Sequence, residues 1–161
     1  MKRLWAPWRM EYIAGEQKPG CLFCRVIENP DDEDAGMVVW RPEGAIVILN
    51  KFPYNPGHTM VAPVAHVAGL EDLDDPQTTQ VMRALRRTVE VLRGTMTPDG
   101  FNVGANIGRA AGAGIPDHVH FHVVPRWNGD TNFMAVIDDV KVVNEALSQT
   151  AAKLQRAFSA S

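Results

Sequence analysis

The spacing of apolar positions along this chain changes several times, and each change marks an element. Met37 to Trp40, Ala45 to Leu49 and Thr59 to Ala62 are short apolar runs bounded by Pro/Gly turns, which predicts three strands. Over residues 77–93 the period lengthens. Val81, Leu85, Thr88, Val89 and Leu92 recur at helical spacing, with Arg83, Arg86, Arg87 and Glu90 between them, which predicts a helix. Phe101 to Ile107 and Val119 to Val124 predict two more strands. A last helix is predicted over 140–158, with Val143, Leu147, Thr150, Leu154 and Phe158 on one stripe. Stripes of this kind face a core. A short helix starts at Arg25-Val26-Ile27, after a Cys-x-x-Cys turn, and residues 1–20 read as an aromatic-rich arm or short helix. Asp31-Asp32-Glu33-Asp34 reads as a solvated loop. There is no internal repeat and no low-complexity linker. The pattern therefore predicts one α+β domain over residues 1–161.

Composition narrows the class. A chain of 161 residues suits one domain with a sizeable core. A net charge of −3 argues against a nucleic-acid or membrane-surface footprint. No apolar run approaches the roughly 20 residues of a membrane span. The positively charged start, Met1 to Arg9, lacks a following apolar segment and does not read as a signal peptide. The expected compartment is the cytoplasm, where Cys21 and Cys24 would not form a structural disulfide.

The histidines carry the chemical signal. All five lie in two short segments: His58 and His66 in one, His118, His120 and His122 in the other. In Asp117-His118-Val119-His120-Phe121-His122-Val123-Val124-Pro125-Arg126 they alternate with other residues. On a strand, alternate side chains share a face, so the three imidazoles would face the same way. Imidazole can act as base, nucleophile, acid or metal ligand near neutral pH. Alternate strand positions are roughly 6.6 Å apart, so His118 and His122 would be about 13 Å apart, too far for one metal ion without strong bending. A division of labour fits better. The middle residue, His120, is best placed to attack a phosphorus atom and form a nucleotidyl-histidine. Just upstream, Asn106 to Pro116 form a small-residue loop whose backbone N–H groups could cradle phosphate oxygens. Cys21-x-x-Cys24 is open to several readings on its own: a redox pair, a zinc half-site or two buried thiols.

His118-Val119-His120-Phe121-His122-Val123-Val124 resembles the signature of the histidine triad (HIT) family of nucleotidyl hydrolases and transferases. Asn50, Pro53, Gly57-His58 and Asn106-Ile107-Gly108 are similar to that family in the same order, so the resemblance covers roughly residues 20–135. Residues 3–10 and 125–133 resemble its bacterial branch, which includes diadenosine tetraphosphate phosphorylases. The resemblance implies an α+β fold, a five-stranded antiparallel sheet with flanking helices, and pairing into a homodimer. It implies His120 as the nucleophile, with His58 and His122 binding and polarising the phosphate. Asn106 would contact the phosphate and Asn50 would sit near the ribose. Gly108, Gly112 and Gly114 would line the substrate by their backbone. The implied substrate is a purine nucleotide or dinucleoside polyphosphate, with water or inorganic phosphate as acceptor.

The resemblance also implies a structural zinc, held by Cys21, Cys24, His66 and His118, and no organic cofactor. One position departs from the family pattern. Many members have Gln or Ser four residues before the first triad histidine, and here that residue is Gly114. For a phosphorylase, a second anion site beside the intermediate is expected, with Arg109 and Arg126 as candidate charges and the backbone of Gly112 to Gly114 as donors; Arg126 could equally anchor the strand end to a carboxylate. Three other readings stand beside this one. They are a hydrolase of nucleoside phosphoramidates, a zinc hydrolase with all three triad histidines as ligands, and a nucleotide-binding regulatory module without turnover.

Overall fold

A computed structural model describes residues 19–130 and 145–160. Helix α1 (Leu22–Glu28) precedes strands β1 (Val38–Trp40), β2 (Ala45–Leu49) and β3 (Thr59–Pro63). Helix α2 (Asp75–Met96) leads to β4 (Gly100–Ala105) and β5 (Phe121–Arg126), and helix α3 (Leu147–Ser159) closes the described chain. The strands form one antiparallel sheet in the order β1-β2-β3-β5-β4. The expected arm and the first part of the expected 140–158 helix, including Val143, lie outside the described residues.

Both faces of the sheet are covered, which explains why β2 and β3 are buried throughout rather than alternating. On one face Val47, Leu49, Val61 and Val123 pack with Leu85 and Leu92 of α2 and Leu154 and Phe158 of α3. On the other, Ile46, Ile48, Met60 and Ala62 pack with Phe23 and Val26 of α1. At the edge, Trp40 stacks on Phe158 with ring centroids 5.0 Å apart. The opposite edge, β4, is half-buried at its ends and exposed over Asn102, Val103 and Gly104.

Helix α2 begins earlier than its periodicity suggests. Asp74 caps it by accepting from the Gln77 N–H at 2.8 Å, and the Gln77 side chain accepts from the Asp74 N–H at 3.0 Å. This reciprocal cap, with Pro76 in the first turn, stabilises the helix start by about 1 kcal/mol. The acidic run is also more structured than expected. Asp32 and Asp34 both pair with Arg25 of α1, at 3.3 and 2.9 Å, and their side chains are only 10% and 15% exposed. Lys51 approaches Asp34 at 3.5 Å from the β2–β3 loop. Negative charges that would repel one another in water are here gathered around one guanidinium.

The triad strand starts later than expected. His122 lies in the ladder, opposite Met60 on β3 and Gly104 on β4. His118 and His120 precede it. The cause is local: the Val119 N–H bonds the Val67 carbonyl at 2.7 Å, in the loop after β3, rather than β3 itself. That loop folds His66 back against His118.

Candidate functional site

The three triad histidines divide between two neighbouring clusters. His58 and His120 are almost fully buried, and His122 is half-buried. His58 arrives on the β2–β3 loop. Gly57 precedes it with φ +77°, a conformation that favours glycine, and a Cβ there would collide with Met96 Sδ. Asn55 holds the loop down: its carbonyl accepts from the His58 N–H at 3.0 Å. Its Nδ2 donates to the Pro125 carbonyl at 2.9 Å and to Asp130 Oδ2 at 2.7 Å.

Hydrogen-bond partners fix the protons on the imidazoles. The Tyr54 backbone N–H, which can only donate, bonds His58 Nδ1 at 3.1 Å. Neutral His58 therefore carries its proton on Nε2, which lies 2.9 Å from His122 Nδ1. His58 donates there, so His122 carries its own proton on Nε2. The Tyr54 ring stacks on His58 at 5.0 Å and 15°. His120 Nδ1 lies 2.8 Å from the His118 carbonyl, which can only accept. His120 therefore donates from Nδ1 and keeps its lone pair on Nε2. Its ring contacts that of His122 edge-on, with centroids 5.0 Å apart. Burial lowers the His120 pKa below its ordinary value of 6.5, the bond to the His118 carbonyl opposing the shift. A neutral His120 beside a proton-bearing His122 is a nucleophile next to a hydrogen-bond donor. That pair suits attack on a phosphoryl centre whose oxygens need neutralising.

The second cluster is Cys21, Cys24, His66 and His118, whose ligand atoms all lie within 4.8 Å of one another. His118 Nδ1 is 3.3 Å from Cys21 Sγ and 3.7 Å from Cys24 Sγ. His66 Nδ1 is 3.2 Å from Cys24 Sγ and 3.2 Å from His118 Nδ1. A tetrahedral zinc with Zn–S near 2.3 Å and Zn–N near 2.05 Å places its ligands about 3.3–3.8 Å apart. The cluster fits that shape. The Pro63 carbonyl, 2.9 Å from His118 Nε2, fixes the proton there and turns the Nδ1 lone pair toward the sulfurs. Burial, together with the neighbouring Cys21, pushes the Cys24 thiol up to about 11. A divalent cation would reverse that preference by favouring the thiolates. The residues present thus fit a zinc ion. With His118 turned into this cluster and His122 bonded to His58, the three triad histidines do not converge on one ion, which removes the three-histidine zinc hydrolase.

The remaining expected residues are spread around the histidines. Asn50 is half-buried, with Nδ2 3.4 Å from His58 Nε2 and Oδ1 accepting from the Phe52 N–H at 2.9 Å. Asn106 and Gly108 are half-buried in the loop after β4, whereas Gly112 and Gly114 are exposed. That loop forms a short 3-10 turn (Arg109–Ala111), so the Gly112 N–H bonds the Arg109 carbonyl at 3.0 Å and the Ala113 N–H bonds that of Gly108 at 3.4 Å. The expected run of anion-directed donors is therefore partly engaged within the loop. Arg126 is engaged too. It bonds both Asp130 oxygens, at 2.6 and 2.9 Å, and Asn102 Oδ1 at 2.8 Å. The Arg126 bond, helped by Asn55 and the Trp127 N–H, holds the Asp130 carboxyl far below the usual range. Arg126 thus anchors the end of β5, and Arg109 is the remaining candidate charge. Tyr54, Asn55 and Phe23 were not singled out in the sequence. Tyr54 and Asn55 lie within the His58 segment, where their spacing to His58 was the available signal. Phe23 lies inside the Cys-x-x-Cys turn.

The sheet order, the histidine-bearing β5 and the clustered His58, His120 and His122 define a histidine triad architecture. A HIT domain matches residues 32–129, and the chain belongs to the HIT family. Within it, the chain is 39% identical over 159 residues to the AP-4-A phosphorylase of Mycobacterium tuberculosis, covering 93% of this chain and 80% of that protein. Among solved structures it is similar to a zinc-bound histidine triad family protein from Mycobacterium smegmatis. The TM-score is 0.69 at 25% identity, over 88% of this chain and 94% of that one. A hypothetical histidine triad nucleotide-binding protein from Sulfolobus tokodaii is similar with TM-score 0.70 and 25% identity, over 87% and 93% of the two chains. No described helix is long and apolar enough to cross a membrane.

Proposed function

We propose that this chain is a nucleotidyl transferase or hydrolase that cleaves adenosine nucleotides such as diadenosine tetraphosphate through a covalent nucleotidyl-histidine. The observation that carries the reading is the fixed proton pattern: His120 donates from Nδ1 to the His118 carbonyl, leaving Nε2 as a nucleophile, while His58 orients His122 as a donor. Similarity to the AP-4-A phosphorylase supports the substrate class. His120 Nε2 attacks the α-phosphorus, an N–P bond forms, and the P–O bond to the departing ATP breaks. His122, backed by His58, neutralises the phosphoryl oxygens. An oxygen of phosphate or water then attacks the phosphorus and the P–N bond breaks, giving ADP or AMP. Asn106 and the backbone at Gly108 and Gly114 hold the phosphates, Gly112 lines them with its N–H kept on the Arg109 carbonyl, and Asn50 sits near the ribose. Arg109 supplies charge for a phosphate acceptor.

Cys21, Cys24, His66 and His118 hold a structural zinc, which supplies a fixed anchor between the start of α1 and the chain entering β5. The exposed edge strand β4, with Val103 50% exposed and Ile107 just beyond it 42% exposed, supports a homodimer formed by two such edges. The chain acts as one domain, in the cytoplasm, without nucleic acid or membrane as partner. The test is turnover of diadenosine tetraphosphate with and without millimolar phosphate, with products resolved by chromatography. ADP plus ATP identifies phosphorolysis and AMP plus ATP identifies hydrolysis. No turnover under either condition refutes the reading.

A further inference from the structure

One residue touches both clusters without belonging to either. Phe23 lies between the two cysteines of Cys21-Leu22-Phe23-Cys24 and is fully buried. Its ring contacts His118 at 5.0 Å and 48°, and His120 at 5.1 Å and 43°. Behind it stand Ile46, Ile48 and Met60 of the sheet and Val26 of its own helix. Phe23 shares the first turn of α1 with Cys24, directly after the N-cap Cys21, so its position is tied to that of the two cysteines. The His120 tautomer depends on one bond, Nδ1 to the His118 carbonyl, within its own chain segment. A bond two residues long can form only in one range of ring orientations. The space beside the ring must be filled to keep it there, since close packing restricts which rotamers are open.

We propose that Phe23 is a positioning residue for His120: its ring holds the imidazole in the orientation that keeps the proton on Nδ1 and the lone pair on Nε2. It thereby links the order of the cysteine–histidine cluster to the reacting nitrogen. The consequence for turnover rests on the nucleophile assignment above, whereas the effect on the imidazole does not. A merely structural Phe23 would support stability and leave the His120 tautomer alone.

The test uses the full chain, purified without chelator, in two variants. Phe23→Leu removes the ring while keeping an apolar side chain, and Phe23→Met replaces it if the leucine variant does not fold. Val26→Ala is the control, since Val26 is fully buried in the same cluster and on the same helix. Three quantities are read: zinc per chain, the His120 tautomer from two-bond proton–nitrogen correlations of 15N-histidine-labelled protein at fixed pH, and kcat and KM on diadenosine tetraphosphate. Phe23→Leu is expected to keep its zinc and to show mixed His120 tautomers. Its kcat should fall at least tenfold, with KM within threefold. Val26→Ala should keep the wild-type tautomer and a kcat within threefold. An unchanged His120 pattern in Phe23→Leu overturns the proposal, and so does loss of its zinc. A Val26→Ala effect as large as that of Phe23→Leu overturns it equally. If wild-type protein shows no turnover, the functional reading fails, and the tautomer comparison alone decides the role of Phe23.

Discussion

Asn55→Ala isolates the joint that holds the His58 loop to the end of β5. The amide is 3% exposed and makes two bonds through Nδ2, one to the Pro125 carbonyl and one to the Asp130 carboxylate. A neutral hydrogen bond contributes about 1 kcal/mol net, and one to a charged group about 1.5–3 kcal/mol. The sum is about 2.5–4 kcal/mol. Asp130 keeps Arg126, so the variant does not strand a bare carboxylate, and the sum need not be raised for an unpaired charge. For a chain of this size each kcal/mol shifts Tm by about 2–4 °C, so the midpoint should fall by about 5–15 °C. Urea unfolding at pH 7, followed by tryptophan fluorescence, gives the free energy. A double-mutant cycle with Asp130→Ala should give a coupling of at least about 1 kcal/mol. Turnover should fall with stability still in excess, since the Asn55 segment also positions the His58 N–H. A loss below about 1 kcal/mol at unchanged m, or no coupling to Asp130, would refute the reasoning.

Three further outcomes are expected. His120→Ala should lose turnover by several orders of magnitude while nucleotide binding and fold persist. A variant keeping more than about a tenth of wild-type kcat, a barrier change of only about 1.4 kcal/mol, would remove the nucleophile assignment. Protein purified without chelator should contain about one zinc per chain, and Cys24→Ala should lose it. Absent zinc with both thiols freely titratable would sink the metal site. Acid should weaken the Arg126–Asp130 anchor in a defined direction. The folded Asp130 pKa lies far below its ordinary 3.8, so its contribution is complete above that value and is lost as pH falls below it toward the folded value. Asp130→Asn should therefore be less stable than wild type at pH 7, with the gap closing below about pH 4. Because Arg126 is 46% exposed, the ion pair itself should account for only about 1 kcal/mol or less. A gap independent of pH would count against it.

Elements with strong periodicity were legible from the residues alone. The α2 stripe Val81, Leu85, Thr88 and Leu92 is buried as the spacing requires. What escaped the pattern was set by partners distant in sequence. The triad strand starts two residues later than expected because Val119 bonds Val67, a contact that period-two alternation cannot register. Asp32 and Asp34 leave water because the Arg25 guanidinium pairs with both, at 3.3 and 2.9 Å, so charge patterning alone misplaces them. From sequence Arg126 could be either a charge for a phosphate or an anchor of the strand end, and only the fold shows Asp130, four residues on, taking two of its nitrogens. The Cys21, Cys24, His66 and His118 grouping was expected from the family resemblance. Spacing alone left the cysteine pair open, because His66 and His118 lie 42 and 94 residues beyond Cys24.

The groups that fix the protons on His58 and His120 are both main-chain: the Tyr54 amide and the His118 carbonyl. Every residue type has that carbonyl, and every type but proline has that amide. The protonation pattern of the site is therefore inherited from the path of the backbone rather than from the identity of residues 54 and 118. Alanine at 54 would delete a ring and leave the instruction intact, whereas alanine at 118 would keep the carbonyl but remove a member of the cysteine–histidine cluster. Proline at 54 would delete the instruction itself. In this molecule the wiring of the histidines can survive change at residue 54, provided the two loops keep their course and the Phe23 ring stays packed against His120.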